Sequence, residues 1–285
     1  MSSHEPQGNE VWVEKQLSLK QITLRAATSI GGPRSRYADN QDVVLVCADE
    51  KRLRAVVVDG AGSTTTGRLA ATICAETTQD LSLSLEQSYL QADTQICLQT
   101  RTDKAFDPKT SGYGAVVGID VDFHTGAAQI VCWGDCRAVL LRSSAVNGEG
   151  TTVPQNVLHD RVVAGELRLE EYYASEDPSY LSGGLGFSDL PGIRPPVVQS
   201  FMPQMGDVLV LGSDGVWDQL SDYELLQLWL KNEKDLTAFN LAVQALVLER
   251  NNATVPFELV IEAGRSVHFC PDAADNTSLI VLQWT

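Results

Sequence analysis

The sequence contains no long apolar run and no recognisable export signal. No stretch approaches the roughly 18 consecutive apolar residues that a membrane-spanning helix needs. Residues 1–10 are polar and carry neither the basic nor the apolar region of a secretory signal. We therefore expect a cytoplasmic protein that has no membrane partner.

Positive charge is also scarce. The chain has 21 lysines and arginines against 37 aspartates and glutamates, which gives a net charge of −16. This charge repels a phosphate backbone, so nonspecific binding to nucleic acid is not expected. It suits a protein that gathers carboxylates around cations. A chain of 285 residues can bury a full core, as one large domain or two small ones.

Two common kinds of site are missing. The six cysteines form no CxxC pair, and no histidine stands at zinc spacing from Cys132 and Cys136. The glycine-rich run Leu181–Gly186 lacks the lysine and the strand–loop–helix context of a nucleotide-binding loop. His159 is the histidine nearest to candidate chemistry, but a lone histidine beside an acid is more commonly a packing or solvated residue, and we give it no role.

The stretch around Asp59 is the most informative part of the sequence. Residues 55–58 are small or β-branched and apolar, which predicts a buried strand. The strand ends in Asp59 and Gly60. A carboxylate at that position is costly to desolvate unless it is paired, for example with a metal cation that the Gly60 carbonyl could also approach. The alternative is a tight turn, because Asp-Gly is a strong hairpin signal.

The remaining pattern alternates strands with pairs of helices. Predicted strands cover 22–28, 43–48, 56–58, 112–119, 128–133, 137–141, 208–211 and 279–284, and predicted helices cover about 66–80, 84–101, 222–231 and 235–249. Residues 143–180 break this rhythm and are expected to form an irregular flap. Its Leu158, Val162, Val163, Leu167 and Leu169 can be buried.

Acids recur at the ends of the predicted strands. Asp42 and Asp59 are expected at the same edge, because antiparallel neighbours bring the start of one strand beside the end of the next. Asp214 and Asp275 adjoin two further strands, and Asp135 lies at a turn. Turn chemistry alone explains this recurrence poorly. Hard divalent cations such as Mg²⁺ and Mn²⁺ prefer these oxygen ligands, so the pattern predicts a metal centre.

In this order the motifs resemble the metal-dependent Ser/Thr protein phosphatases of type 2C, closer to the bacterial members. The resemblance spans about residues 20–284. It is carried by Arg36…Asn40-Gln41-Asp42, Val58-Asp59-Gly60-x-Gly62, Gly112-x-Gly114-Ala115, Trp133-Gly134-Asp135-x-Arg137, Gly183-Gly184-Leu185-Gly186, Ser213-Asp214-Gly215-Val216-Trp217-Asp218 and Asp275-Asn276-Thr277.

The resemblance implies an α+β fold, a four-layer αββα sandwich of two antiparallel sheets flanked by helix pairs. It also implies that Asp59 bridges two Mg²⁺ or Mn²⁺ ions and that Gly60 offers its carbonyl. Asp42, Asp214 and Asp275 would complete the shells, and Asp135 with Asp214 would hold a weaker third ion. Arg36 would bind the substrate phosphate, as bidentate geometry favours.

Three positions depart from the family pattern. Gln41 stands where a glutamate is usual, which removes one negative charge near the metals. Arg36 lies six residues before Asp42 instead of five, so Arg34 is an alternative phosphate ligand. Ala61 replaces the histidine with which many eukaryotic members could protonate the leaving group.

The predicted function is hydrolysis of phosphoserine and phosphothreonine in proteins by a water that two metal ions activate. The alternatives are a catalytically silent phosphatase-like binding module and a phosphatase of a small phosphoester. Residues 1–18 are expected to be a flexible leader and 19–285 the catalytic domain, acting as a monomer.

Overall fold

Apolar runs separated by turns produce two large antiparallel sheets. The computed structural model describes residues 13–19, 21–35, 38–101, 106–143, 145–173, 175, 180–187, 189–271 and 273–285. The strands are β1 (Val13–Leu19), β2 (Ile22–Ser29), β3 (Val43–Ala48), β4 (Arg52–Ala61), β5 (Tyr113–Asp122), β6 (Ala128–Trp133), β7 (Arg137–Arg142), β8 (Ala145–Asn147), β9 (Val197–Phe201), β10 (Val208–Gly212), β11 (Phe257–Glu262), β12 (Arg265–Phe269) and β13 (Thr277–Trp284).

The helices lie on the outer faces of the sheets. They are α1 (Thr64–Thr78), α2 (Leu85–Thr100), α3 (Val157–Val163), α4 (Leu169–Tyr173), α5 (Asp214–Trp217), α6 (Asp222–Lys231) and α7 (Leu236–Asn251). Serine caps begin three of them: Ser63, Ser84 and Ser221 each form a capping box. Among the helices in the described ranges, none combines the length and apolar character needed to cross a membrane.

One sheet has the order β1-β2-β13-β10-β7-β8 and the other β3-β4-β5-β6-β9, while β11 and β12 form a separate hairpin. Three apolar clusters separate the layers. Leu24 and Leu209 of the first sheet pack with Leu53 and Ile119 of the second. The second sheet packs on α1 and α2, and the first sheet packs on α6 and α7. The layers therefore follow the order helix, sheet, sheet, helix, which confirms the predicted αββα sandwich.

Some predicted boundaries were wrong. The strand predicted over 56–58 extends over the whole of β4, and α1 begins at Thr64 instead of residue 66 because Ser63 caps it. β9 and the β11–β12 hairpin were not predicted. Residues 13–18 were expected in a leader, whereas β1 pairs with β2 from Val13↔Thr28 to Leu19↔Ile22, so the folded domain includes them.

The predicted flap contains short regular elements. Within residues 143–180, the described parts form β8, α3 and α4. Leu158 is buried as expected, but Val163 is 74% exposed, because it lies in the last turn of α3 on the side that faces solvent. Leu169 and Tyr173 of this segment pack against a small apolar cluster formed by the β11–β12 hairpin.

Candidate metal centre

Asp59 lies at the end of β4, where the backbone is packed unusually closely. Asp59 is opposite Ala115, and Gly60 is opposite Gly114 in the neighbouring β5. A Cβ on Gly60 would stand 2.2 Å from the Gly67 carbonyl oxygen, and one on Gly114 would stand 2.1 Å from the Asp59 carbonyl oxygen. Only glycine lets these backbone segments approach one another so closely. The two glycines therefore set the position of Asp59 relative to β5 and to the first turns of α1.

Three aspartates from separate elements meet at this edge. Asp135 occupies the turn between β6 and β7, after Gly134 with φ +98°, and Asp214 begins α5 directly after β10. Carboxylate oxygens of Asp59, Asp135 and Asp214 all lie within 4.8 Å of one another. A set of facing carboxylates without a cation is electrostatically unfavourable, so this is a candidate site for metal ions.

The raised pKa values of the clustered carboxyls also indicate a cation site. Burial raises the pKa of the Asp59 carboxyl well above its usual range, and the charges of Asp214 and Asp42 raise it further. Burial and the charge of Asp214 similarly raise the pKa of Asp135. Each acid is therefore held where its charged form is disfavoured. A bound cation would reverse this, because it stabilises the ionised carboxylates.

Asp42 lies beside the cluster, at the position predicted for it. Val43 pairs with Val58, which brings Asp42 and Asp59 to the same edge of the sheet. Ser213 Oγ donates a hydrogen bond of 2.9 Å to Asp42 Oδ2. Among the described residues, Asp42 Oδ1 is a buried atom with no hydrogen-bond partner. A buried carboxylate oxygen without a donor is costly, and a cation ligated by this atom would remove that cost.

Asp275 approaches from the loop before β13. Its Oδ1 accepts the Asn276 backbone N–H at 2.8 Å, while Asn251 bonds its backbone on both sides, with Nδ2 donating to the carbonyl and Oδ1 accepting the amide. Its charge helps to raise the pKa values of Asp59 and Asp42. Asp275 is thus fixed at the rim of the same site.

One cavity of about 440 Å³ contains most of these groups, and it has two chemically different sides. The polar side consists of Gln41, Asp59, Gly60, Asp135, Asp214, Asp275 and Asn276. The apolar side consists of Phe106, Pro108, Tyr113, Tyr180, Leu181, Phe187, Leu190 and Ile193, with Ala61 and Ala115 between the two. His159 lines a different cavity of about 270 Å³.

The arginine expected to bind phosphate is the one predicted site residue that cannot be placed, since Arg36 lies outside the described residues. The alternative, Arg34, is engaged elsewhere. Its guanidinium donates to the carbonyls of Ala253 and Pro271, the latter at 3.2 Å, and its backbone N–H donates to Asn252 Oδ1. These contacts hold Arg34 against the segment between α7 and β11 and the loop before β13, which does not favour it as a phosphate ligand.

Two of the three positions that depart from the family pattern, Gln41 and Ala61, also lie at the centre. Gln41 is 2% exposed; its side chain donates to the Ser63 carbonyl at 3.2 Å, and its backbone N–H donates to Asn276 Oδ1 at 2.8 Å. Gln41 therefore links the loop before β3 to α1 and to the loop before β13. Ala61 lines the cavity and has no polar side-chain atom.

Sequence reasoning gave no role to several polar residues that support the acids. Asn40 Oδ1 accepts the Asp42 backbone N–H at 3.0 Å, and Ser213 Oγ accepts the Ser278 N–H at 3.0 Å while it bonds Asp42. Asn40 and Ser213 lie within two positions of an acid in the quoted motifs. This proximity was the signal that could have identified them as supporting residues. The apolar side of the cavity was also missed, because its residues come from two separate loops and a strand end.

Known proteins resemble this chain in their solved structures. No family model and no curated protein matches the sequence. The serine/threonine phosphatase of S. agalactiae gives a TM-score of 0.72 at 18% identity, covering 93% of this chain and 100% of that one. The catalytic domain of the phosphatase PstP in complex with two manganese ions gives 0.64 at 18% identity, covering 92% and 97%.

The PPM Ser-Thr phosphatase MsPP of Mycobacterium smegmatis, in complex with cacodylate, gives a TM-score of 0.60 at 18% identity, covering 92% of this chain and 98% of that one. At this level of identity the likeness establishes the fold. This chain has the fold of the bacterial PPM-type serine/threonine phosphatases, as its sequence motifs predict.

Proposed function

We propose that this chain is a metal-dependent phosphatase that hydrolyses phosphoserine and phosphothreonine in proteins. The observation that carries the proposal is the meeting of Asp59, Asp135 and Asp214 within 4.8 Å of one another in the lining of a cavity of about 440 Å³. The fold adds support, because PstP has the same fold and is a Ser/Thr phosphatase in complex with manganese.

The oxygen-only donor set fits Mg²⁺ or Mn²⁺. Asp59, Asp135 and Asp214 would hold two or three ions, with Asp42, Asp275 and the Gly60 carbonyl completing the set. Such ions supply Lewis-acid chemistry, which lowers the pKa of water and neutralises charge on the phosphoryl oxygens. Ser213 and Asn40 hold Asp42 in place, and Asn251 holds Asp275.

The other residues of the cavity limit the mechanism. Among the described residues that line it, there is no serine, cysteine or histidine that could serve as a nucleophile, and the aspartates, which could, would be engaged as metal ligands. We therefore propose direct attack by water without a phospho-enzyme. Ala61 offers no proton to the leaving alkoxide, so its proton would come from water. Arg36 remains the proposed phosphate ligand.

We propose that the protein is a cytoplasmic monomer without a membrane or nucleic-acid partner. The net charge of −16 supports the absence of a nucleic-acid partner. The monomer is supported by the proposed metal ligands, which all come from one chain. The flap at about 143–180 would shape the approach of the substrate.

The decisive experiment is hydrolysis of a phosphothreonine peptide with Mn²⁺, with Mg²⁺ and with EDTA. Asp59→Asn and Asp214→Asn should each lower kcat/KM by more than about 100-fold, since even residues that only support metal ligands cost 10- to 100-fold. Glu86→Gln, an exposed carboxylate in the first turn of α2, is the matched control and should retain activity.

The outcomes separate the alternatives. Absence of turnover with every divalent cation, from folded protein, would contradict the proposal for these substrates. Calorimetric titration with Mn²⁺ would then distinguish a silent binding module from a phosphatase of another phosphoester, which would be found by testing small phosphorylated compounds.

A further inference from the structure

The apolar side of the metal-centre cavity contains a cluster of aromatic rings. The ring centroids of Phe106, Tyr113 and Phe187 are 5.6, 5.0 and 5.2 Å apart in the pairs Phe106–Tyr113, Phe106–Phe187 and Tyr113–Phe187. Leu181, Leu190 and Ile193 extend this surface along the same cavity. We call these six residues the apolar wall. An apolar surface open to a cavity is a site where a ligand gains by excluding water.

The apolar wall adjoins the acids directly. Tyr113 and Ala115 stand two positions apart on β5, hence on one face of the sheet, and Ala115 is opposite Asp59. At about 3.4 Å per residue, Tyr113 begins roughly 7 Å along the strand from the position opposite Asp59. Neighbouring side chains of an extended peptide are separated by similar distances. A peptide whose phosphate is held by metal ions bound to these acids would therefore reach the wall with an adjacent side chain.

The wall is held in place by buried polar contacts. Asp93 of α2 is 1% exposed, and its Oδ1 accepts the backbone N–H groups of Gly186 at 2.6 Å and Phe187 at 3.0 Å. Leu185 exchanges two backbone hydrogen bonds with Gly114, of 3.1 and 2.9 Å. Burial of a carboxylate is costly unless it is hydrogen-bonded, so these contacts fix the loop that carries Phe187.

Arg101 fixes the other part of the wall. Its guanidinium donates to the Gly186 carbonyl and to Asp189, and it lies 5.5 Å from the centroid of the Phe106 ring. The two loops that supply Phe106 and Phe187 are thus both tied to the end of α2. A surface ordered before binding loses less conformational entropy when a ligand docks.

We propose that the apolar wall is a substrate subsite that takes a bulky apolar side chain, such as leucine or phenylalanine, within two positions of the phosphorylated residue. This inference rests on the proposed function and specifies its substrate class. Its occupant is a peptide side chain because the same cavity is lined by the acids and by the wall, and because Tyr180, which also lines it, is 68% exposed, so the cavity reaches the protein surface.

The test compares phosphothreonine peptides that differ only at one position within two residues of the phosphothreonine, occupied by leucine, phenylalanine, asparagine or serine. The wild-type protein with Mn²⁺ should favour the apolar peptides by about 10-fold or more in kcat/KM, the factor expected from burying one such side chain. The difference should lie mainly in KM, because the contact is the same in ground state and transition state.

Single substitutions in the apolar wall test whether it causes the preference for apolar peptides. Leu190→Ala and Ile193→Ala, which shorten half-buried side chains, should each reduce the apolar preference to about 3-fold or less. Phe187→Ala should do the same, and Phe187→Leu should restore most of the preference. Met205→Ala is the control, because this side chain is 88% exposed and does not line the cavity.

Equal kcat/KM values for all peptides at every position would overturn the subsite while leaving the phosphatase intact. An apolar preference that survives Leu190→Ala, Ile193→Ala and Phe187→Ala would also overturn it. Binding of the same labelled peptides, made with a non-hydrolysable phosphonate analogue of phosphothreonine and measured with Mn²⁺, gives a readout without turnover: tighter binding of the apolar peptides, weakened by Leu190→Ala, supports the subsite, and equal binding refutes it even if no peptide is hydrolysed. Hydrolysis of phenyl phosphate with a lower KM than any peptide would assign the wall to a small aryl phosphoester and refute the peptide subsite.

Discussion

Arg54 should be among the residues on which the stability of the fold depends most. Its side chain is 0% exposed, and Nε and one terminal nitrogen bind the two oxygens of Asp120 at 2.6 and 2.7 Å. The same guanidinium donates to the carbonyls of Thr78, Asp80 and Leu83, at 3.0, 3.2 and 2.8 Å. It therefore links β4 and β5 to the segment that joins α1 to α2.

Substitution of Arg54 by methionine removes these donors and leaves the Asp120 carboxylate and three carbonyls without their principal partner. Breaking a buried ion pair in this way costs about 3–5 kcal/mol in free energy of unfolding, out of the roughly 5–15 kcal/mol typical of a folded protein. At roughly 2–4 °C per kcal/mol, the melting temperature should fall by about 6–20 °C.

Arg52 is the matched control, because it approaches the same carboxylate from solvent. Its terminal nitrogen lies 3.9 Å from Asp120 Oδ2, and its side chain is 35% exposed. Arg52→Met should cost no more than about 1 kcal/mol, as exposed ion pairs do. Urea and thermal unfolding of both variants, followed by circular dichroism, measure the difference.

The effect should be confined to stability. Arg54 lies about 17 Å along β4 from Asp59, at about 3.4 Å per residue, so kcat/KM of the folded Arg54→Met variant at low temperature should match the wild type. Equal losses of stability in Arg54→Met and Arg52→Met would refute the reasoning. So would a double variant, Arg54→Met with Asp120→Leu, that is no more stable than Arg54→Met alone, because replacing both partners should relieve the unpaired charge.

The metal centre supports three further predictions. Because burial and Asp214 raise the folded-state pKa of Asp59 above its unfolded value, its contribution to stability is present at low pH and is lost as pH rises through the folded pKa. The melting temperature of the metal-free protein should therefore fall as the pH rises above the ordinary pKa range of a carboxyl group, and Mn²⁺ or Asp59→Asn should flatten this slope; an unchanged slope in Asp59→Asn would contradict the assignment. Gly215→Ala would place a Cβ 2.0 Å from the Asn276 carbonyl oxygen, so kcat/KM should fall about 100-fold, as it does for misplacements near 1 Å, whereas Gly148→Ala, with no atom within 4 Å, should be neutral. Ser213→Ala removes the donor to Asp42 Oδ2 and should weaken Mn²⁺ binding about 10-fold by calorimetry; unchanged affinity would argue against Asp42 as a ligand.

Elements with a continuous apolar run were predictable from the sequence. β3 and β6 have the predicted bounds, and α6 begins where Ser221 forms its capping box. β9 was not predictable in this way. It pairs only with β6 at the edge of its sheet, its residues are half exposed or exposed except Phe201, and prolines precede it. Edge strands bury too little apolar surface to leave a clear pattern.

The sequence shows which acids lie at strand ends, but not which of them meet. Asp59, Asp214 and Asp275 each adjoin a buried strand, and that local signal made them candidates. Which of them meet depends on the strand order β2-β13-β10-β7, in which distant segments become neighbours. Local periodicity contains no information about such pairings. For the same reason the apolar wall, built from residues near 106, 113 and 187, could not be foreseen.

The position of β13 has a consequence for how the protein acquires its structure during synthesis. β13 lies between β2 and β10, pairing with Ile22–Ser29 on one side and with Val208–Gly212 on the other. Until residues 277–284 have left the ribosome, the sheet is divided and two apolar strands have unpaired edges. Asp275, immediately before β13, is also absent from the site. A nascent chain is therefore at risk of aggregation until this late point, and metal affinity should arise only when the last strand closes the sheet.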